Sequence, residues 1–300
     1  MQKTFHLLLV ALLGFGQGLT AQTTLFDSRD AYLGQTPPGD TPQIFAPGLL
    51  AGKDEFTANR TAISPDGTEI YYCTNKSWKN ADDLKVKYFK YDGKKWVGPT
   101  ILNEHFGQTS MSADGQTLYF PNGQAVYRST RTQTGWTDPV AYFQRNYALY
   151  DFMTTSSGNK YAASNGTWGP PSDANAWRFS VMPPSDADTT IQNLGPPLNS
   201  PGFNGDFFVA TDESYMIIST RETEKFECEL YISFRKKDKT WTTPQSLGPK
   251  INDGLAHRYG QYVSPDGKYL FYTRGETEAD CAIYWVRFDD LLKKLKPANS

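Results

Sequence analysis

A tight-turn motif recurs five times along this chain, and its period constrains the possible folds more than any other feature. Ser64-Pro65-Asp66-Gly67 precedes Thr68-Glu69-Ile70-Tyr71-Tyr72, and Ser264-Pro265-Asp266-Gly267 precedes Lys268-Tyr269-Leu270-Phe271-Tyr272. Between them stand Ser112-Ala113-Asp114-Gly115 and two worn copies, Ser156-Ser157-Gly158-Asn159 and Ala210-Thr211-Asp212-Glu213, each followed by a short apolar run. The residue types explain the turn. Proline sets φ at the second position, aspartate bonds to nearby backbone, and glycine takes the positive φ that other residues resist. Successive copies lie roughly 44 to 54 residues apart, the length of one propeller blade.

Each hairpin is followed by a third apolar stretch: Val86-Lys87-Tyr88-Phe89, Ala125-Val126-Tyr127-Arg128, Trp177-Arg178-Phe179, Glu229-Leu230-Tyr231-Ile232 and Ala282-Ile283-Tyr284-Trp285. Four of these lead to a proline-bearing segment, marked by Trp96 with Pro99, Trp136 with Pro139, Ile191 with Pro196, and Trp241 with Pro244. Proline fits an outer edge strand, where one side of the backbone has no ladder partner. The fifth such segment is absent after Trp285, but Pro42-Gln43-Ile44-Phe45-Ala46-Pro47 ahead of the first hairpin supplies a candidate. The expected fold is all-β: a five-bladed β-propeller of four-stranded antiparallel blades, closed by the N-terminal strand at the last blade. Closure removes two unpaired edges that an open ring would expose.

The Ser-Pro-Asp-Gly turn with its aromatic strand and Trp-x-x-Pro edge resembles the WD-like repeat of the TolB-like bacterial β-propellers, over about residues 40 to 290. The resemblance implies a propeller fold. TolB-like proteins commonly place a separate domain ahead of a six-bladed ring, for which this chain has no room, so their partner and envelope role are not carried over.

Lys3, the apolar run from Phe5 to Phe15, and Gly18-Leu19-Thr20-Ala21 have the layout of a cleavable signal peptide. The run is well short of the roughly 20 residues a membrane span needs. The expected organisation is a signal peptide at 1–21, a linker at 22–41, the propeller at 42–290 and a tail at 291–300, in a periplasmic or secreted protein with no membrane span in its mature part. Within the end of the chain, Asp289 to Lys296 could form a short helix. The net charge of −2 gives no basic stripe for nucleic acid. Cys73, Cys228 and Cys281 are odd in number, and matching points on neighbouring blades lie too far apart for a disulfide, so buried free thiols are expected.

In a propeller the inner strands begin at one mouth of the central channel. The residues ahead of the turns therefore nominate Glu55, Arg60, His105, Asp151, Asp206, His257 and Arg258 as channel-mouth candidates. Asp151 and Asp206 could act as paired carboxylates on a glycan, or these charges could satisfy backbone groups and neighbouring blades. No cofactor motif, nucleophile elbow or closed zinc signature is present, and no metal is expected, although His105 and His257 leave room for an open two-histidine site. Asp186 and Asp188 fall short of a calcium loop. Trp96, Trp136 and Trp241 recur in register and read as blade packing. Trp78, Trp168, Trp177 and Tyr150 could stack on sugar rings, though a loop tryptophan can equally tuck against its own blade. The leading reading is a non-catalytic propeller that binds a protein or glycan through its channel mouth or one face. The alternative is a carbohydrate-active hydrolase or lyase using the rim acids.

Overall fold

The structure is a computed structural model that describes residues 24–144, 149–164, 178–186 and 190–298; the stretch read as a signal peptide lies outside the described residues. Five four-stranded antiparallel sheets form the five blades of a β-propeller. Blade 1 comprises β2 (Phe56–Ile63), β3 (Glu69–Asn75), β4 (Lys85–Tyr91) and β5 (Trp96–Glu104). Blade 2 comprises β6 (Ser110–Met111), β7 (Thr117–Asn122), β8 (Ala125–Thr130) and β9 (Val140–Gln144). Blade 3 comprises β10 (Leu149–Thr154), β11 (Lys160–Ser164), β12 (Arg178–Met182) and β13 (Gln192–Asn193), and blade 4 comprises β14 (Phe203–Val209), β15 (Tyr215–Thr220), β16 (Leu230–Phe234) and β17 (Gln245–Ser246). Blade 5 is built from β18 (His257–Val263), β19 (Tyr269–Gly275), β20 (Ala282–Arg287) and the displaced β1 (Gln43–Ile44).

The ring closes where the repeat arithmetic requires. Gln43 pairs with Trp285 and Ile44 with Tyr284, and the Phe45 amide donates to the Ile283 carbonyl at 2.8 Å. Phe45 is buried and packs edge-on against Phe271 and Trp285, at 5.2 Å from each. The stretch before it, expected as a linker, also packs: Tyr32 is buried among Tyr269, Phe271 and Trp285 and donates to Asp266 at 2.8 Å. At the other end, residues Asp289–Leu295 form a helix.

The turns follow their chemistry. Asp66 accepts from the Ser64 hydroxyl at 2.6 Å and the Thr68 amide at 3.0 Å, and Gly67, with φ of 79°, donates to the Ser64 carbonyl at 2.8 Å. Asp114 and Asp266 repeat the arrangement. Blade 3 shifts by one residue from the expected register: Gly158 donates to the Thr155 carbonyl, so Thr155 rather than Ser156 stands at the position of Ser64. In blade 4 Glu213 occupies the glycine position with φ of 61°. Its carboxylate accepts from Thr155, Ser157, Asn159 and Tyr161 of blade 3, and from Arg235 of its own blade. A left-handed residue is thus retained because its side chain joins two blades.

The recurring tryptophans sit at blade junctions. Trp136 donates to the Tyr71 hydroxyl at 2.7 Å beneath Arg131, whose guanidinium pairs doubly with Glu69 at 2.7 and 3.1 Å. Trp241 lies against Arg235, and Trp96 donates to the Asp30 carbonyl at 2.7 Å. All three cysteines are free and buried. Among the described residues no helix is long and apolar enough to cross a membrane.

Candidate functional site at the channel mouth

The inner strands carry the site, and they are not regular. Pairing shifts between Ala58 and Ala62 in β2, between Leu149 and Asp151 in β10, between Phe203 and Phe207 in β14, and between Tyr259 and Tyr262 in β18. A β-bulge places an extra residue on one strand and re-aims its side chain. Here the bulges contain or adjoin Arg60, Asp151, Asp206 and Gln261, which meet in the middle of the ring. At the tightest approach, a Cβ on Gly260 would fall 2.2 Å from the Asn59 carbonyl oxygen, and Gly260 has φ of 61°, so only glycine fits.

Arg60 is the centre of this plug. It is 1% exposed, reaches Asp151 at 2.5 Å, and donates to the carbonyls of Phe152, Phe207 and Gln261, so a side chain of blade 1 ties together blades 3, 4 and 5. Asp151 also accepts from the Phe152 and Phe207 amides at 2.9 and 3.2 Å. Asp206 accepts from the Gly260 amide at 2.7 Å, while its second oxygen has no partner among the described residues. One guanidinium therefore faces two buried carboxyls. Burial pushes the Asp206 carboxyl up to about 7, the Asp151 charge adds to this, and Arg60 opposes it. Burial likewise raises Asp151 against the pull of Arg60. At 1% and 2% exposure, the two acids form the channel's interior rather than its rim.

Above the plug, at the N-terminal ends of the inner strands, lies a cavity of about 480 Å³. One wall is aromatic: Phe56, Trp78, His257 and Tyr259. His257 stacks on Tyr259 at 4.0 Å, and Trp78 meets the imidazole edge-on at 5.1 Å. The lining also carries Asn59, Gln108 and Asn122, with His105, whose Nδ1 lies 2.8 Å from the Asp82 carbonyl. Three buried polar atoms in this lining, Trp78 Nε1, Gln108 Oε1 and His257 Nδ1, have no hydrogen-bond partner among the described residues.

Of the seven candidates, the cavity thus brings together His105 and His257. Arg60, Asp151 and Asp206 lie beneath it in the plug. Glu55 lies in a separate groove beside Lys53 and Glu278, where burial works against ionisation but Lys87 and the Gly52 amide hold its carboxyl below the usual range. Arg258 is 1% exposed and clamps the carbonyls of Ile251 at 2.9 Å and Cys228 at 3.1 Å. Trp78 lines the cavity and packs against Phe56 of its own blade and against Phe226 and His257 of blades 4 and 5. Trp168, Trp177, Asp188 and the side chain of Tyr150 lie outside the described residues. Asn122 was not among the candidates, although it ends β7 and pairs with Ala125 across the tight Gly123-Gln124 turn, which sets it at this same end of blade 2.

Solved structures of low identity align with part of this chain. Hydrazine synthase from Kuenenia stuttgartiensis is 16% identical over 72% of this chain and 63% of that one, with a TM-score of 0.42. TolB from Acinetobacter baumannii is 13% identical over 75% and 53%, with a TM-score of 0.45. Oligogalacturonate lyase from Vibrio parahaemolyticus is 9% identical over 82% and 96%, with a TM-score of 0.42. The chain spans less than two thirds of the hydrazine synthase and TolB chains. No family model and no curated protein matches. Likeness at this level carries nothing about what the chain binds or catalyses.

Proposed function

We propose that this chain is an exported, non-catalytic binding propeller that holds a neutral glycan in the cavity at its channel mouth. The observation that carries the reading is a cavity of about 480 Å³ lined by a cluster of aromatic rings together with amide side chains. A sugar ring offers apolar C–H faces to aromatic rings and hydroxyls to amides, and the unpartnered Gln108 Oε1 and His257 Nδ1 are groups whose burial a ligand would compensate. The lining carries one lysine, Lys79, and one carboxylic acid, Asp82, whose opposite charges favour a neutral ligand over a polyanion. The layout of residues 1–21 supports export.

The reading of a hydrolase or lyase that uses the rim acids requires those carboxyls to be accessible. It draws no support from Asp151 and Asp206, which are buried against Arg60 and backbone amides. The test is calorimetric titration of the mature chain against neutral oligosaccharides. Trp78→Ala and Gln108→Ala should each weaken binding about tenfold or more, equivalent to about 1.4 kcal/mol. Binding indifferent to both changes, or turnover of the bound saccharide, would sink the proposal.

A further inference from the structure

Next to the aromatic wall stands a cluster that shares only His257 with the binding reading. Glu222, Cys228 and His257 place a carboxylate oxygen, a sulfur and an imidazole nitrogen all within 4.8 Å of one another. We propose that these three residues form a binding site for a single zinc-like divalent cation, with a fourth position open to water.

The donor set selects the ion class. Imidazole, thiolate and carboxylate together suit zinc, whereas magnesium and calcium take all-oxygen shells. Charge points the same way. A dication with one thiolate and one carboxylate is neutral, whereas a monovalent ion would leave net negative charge in a region that already buries Asp206.

The fold holds the donors in place before any ion arrives. His257 is fixed between Tyr259 and Trp78, with Nε2 at 2.9 Å from Glu222. The loop between β15 and β16 supplies both other ligands. It is pinned internally by the Phe226 amide on the Thr223 carbonyl at 2.9 Å, and to blade 5 by the Cys228 amide on the Ala256 carbonyl at 3.0 Å. The Arg258 amide points at Cys228 Sγ from 3.3 Å, a donor suited to a thiolate. The thiol donates to the Arg258 carbonyl at 3.0 Å. Binding replaces this S–H bond with a sulfur–metal bond and releases the proton to solvent.

Donor atoms around tetrahedral zinc lie roughly 3.3–3.6 Å apart, so the 2.9 Å His257–Glu222 pair must open slightly and no pair need close by more than about 1.2 Å. Glu222 can supply that movement: its side chain is 34% exposed on a loop, whereas His257 and Cys228 are buried.

The experiment strips the full chain with a chelator and titrates it with zinc, then with cobalt(II) as a spectroscopic substitute. We expect one equivalent to bind, with proton release and a thiolate-to-cobalt charge-transfer band. Cys228→Ser should abolish the band, and Glu222→Gln should weaken affinity about tenfold or more. Zinc should also raise the unfolding temperature of the native chain well above any rise in Glu222→Gln. Should Cys228→Ser fail to fold, the partly exposed Glu222→Gln decides. Absence of saturable uptake, uptake without the thiolate band, or unchanged affinity in Glu222→Gln would each overturn the site. Metal uptake is read without any saccharide, so its failure is distinct from failure of the glycan reading.

Discussion

Asp206 shows how much of this molecule depends on the surroundings of single side chains. In sequence it is an aspartate ahead of a worn turn, indistinguishable from a solvated rim acid. In the ring it is buried beside a second carboxyl, with one cation between them. Its folded pKa of about 7 stands above the ordinary value of about 3.9, so the native state binds the extra proton between those limits. The stability linked to this proton is complete below about pH 4 and declines as pH rises toward 7. Asp206→Asn keeps the acceptor for Gly260 and cannot ionise. Urea midpoints measured from pH 4 to pH 8 should therefore fall less in the variant than in the native chain, with a separation near neutrality on the order of 1–3 kcal/mol. Parallel curves would refute the assignment. Burial of this kind is invisible in a sequence because it depends on where four separate strands bulge.

At the scale of elements, the hairpins were legible and their irregularities were not. Ser-Pro-Asp-Gly encodes its turn locally, through side-chain bonds spanning two residues, so the copies at Ser64, Ser112 and Ser264 could be read directly. Thr155 heads its turn without proline or aspartate, and only the hydrogen bond from Gly158 fixes the register. Nothing in Asn59-Arg60-Thr61 marks a bulge, since its cause is the close passage of Gly260 from another blade. Glu213 is the opposite case, an apparent defect in a turn that its cross-blade bonds explain. Burial opposes its ionisation, but the hydroxyls and amide of blade 3 hold its carboxyl down to about 2. The stability it adds is present above the ordinary glutamate value of about 4.3 and is lost as pH falls toward 2. Glu213→Gln should lower the unfolding temperature at pH 7 and flatten the acid limb of the pH–stability curve. Scanning calorimetry at pH 7 and pH 3 would reveal a difference between the proteins that shrinks at the lower pH, and a constant or growing difference would contradict the staple.

For the whole molecule, counting strands was enough to find the closure. Four proline-bearing edges for five hairpins left one position empty, and only the segment around Ile44 could fill it. The closure is short in backbone terms, two paired residues, so side chains must supply much of its strength. Phe45 is the main anchor, 1% exposed and wedged against Phe271 and Trp285. Phe45→Ala removes that contact from the junction between the first and last strands, and a fully buried phenylalanine replaced by alanine typically costs about 3–5 kcal/mol. Because the junction closes a ring, its loss also bares the outer edge of β20 to other chains. The expected outcome is a large drop in the denaturant midpoint together with concentration-dependent association in sedimentation velocity. Ile44→Ala offers the contrast, since Ile44 is 42% exposed on the same strand and should leave both nearly unchanged. If Phe45→Ala unfolded at the native midpoint, the two ends of the chain would not be holding the ring together.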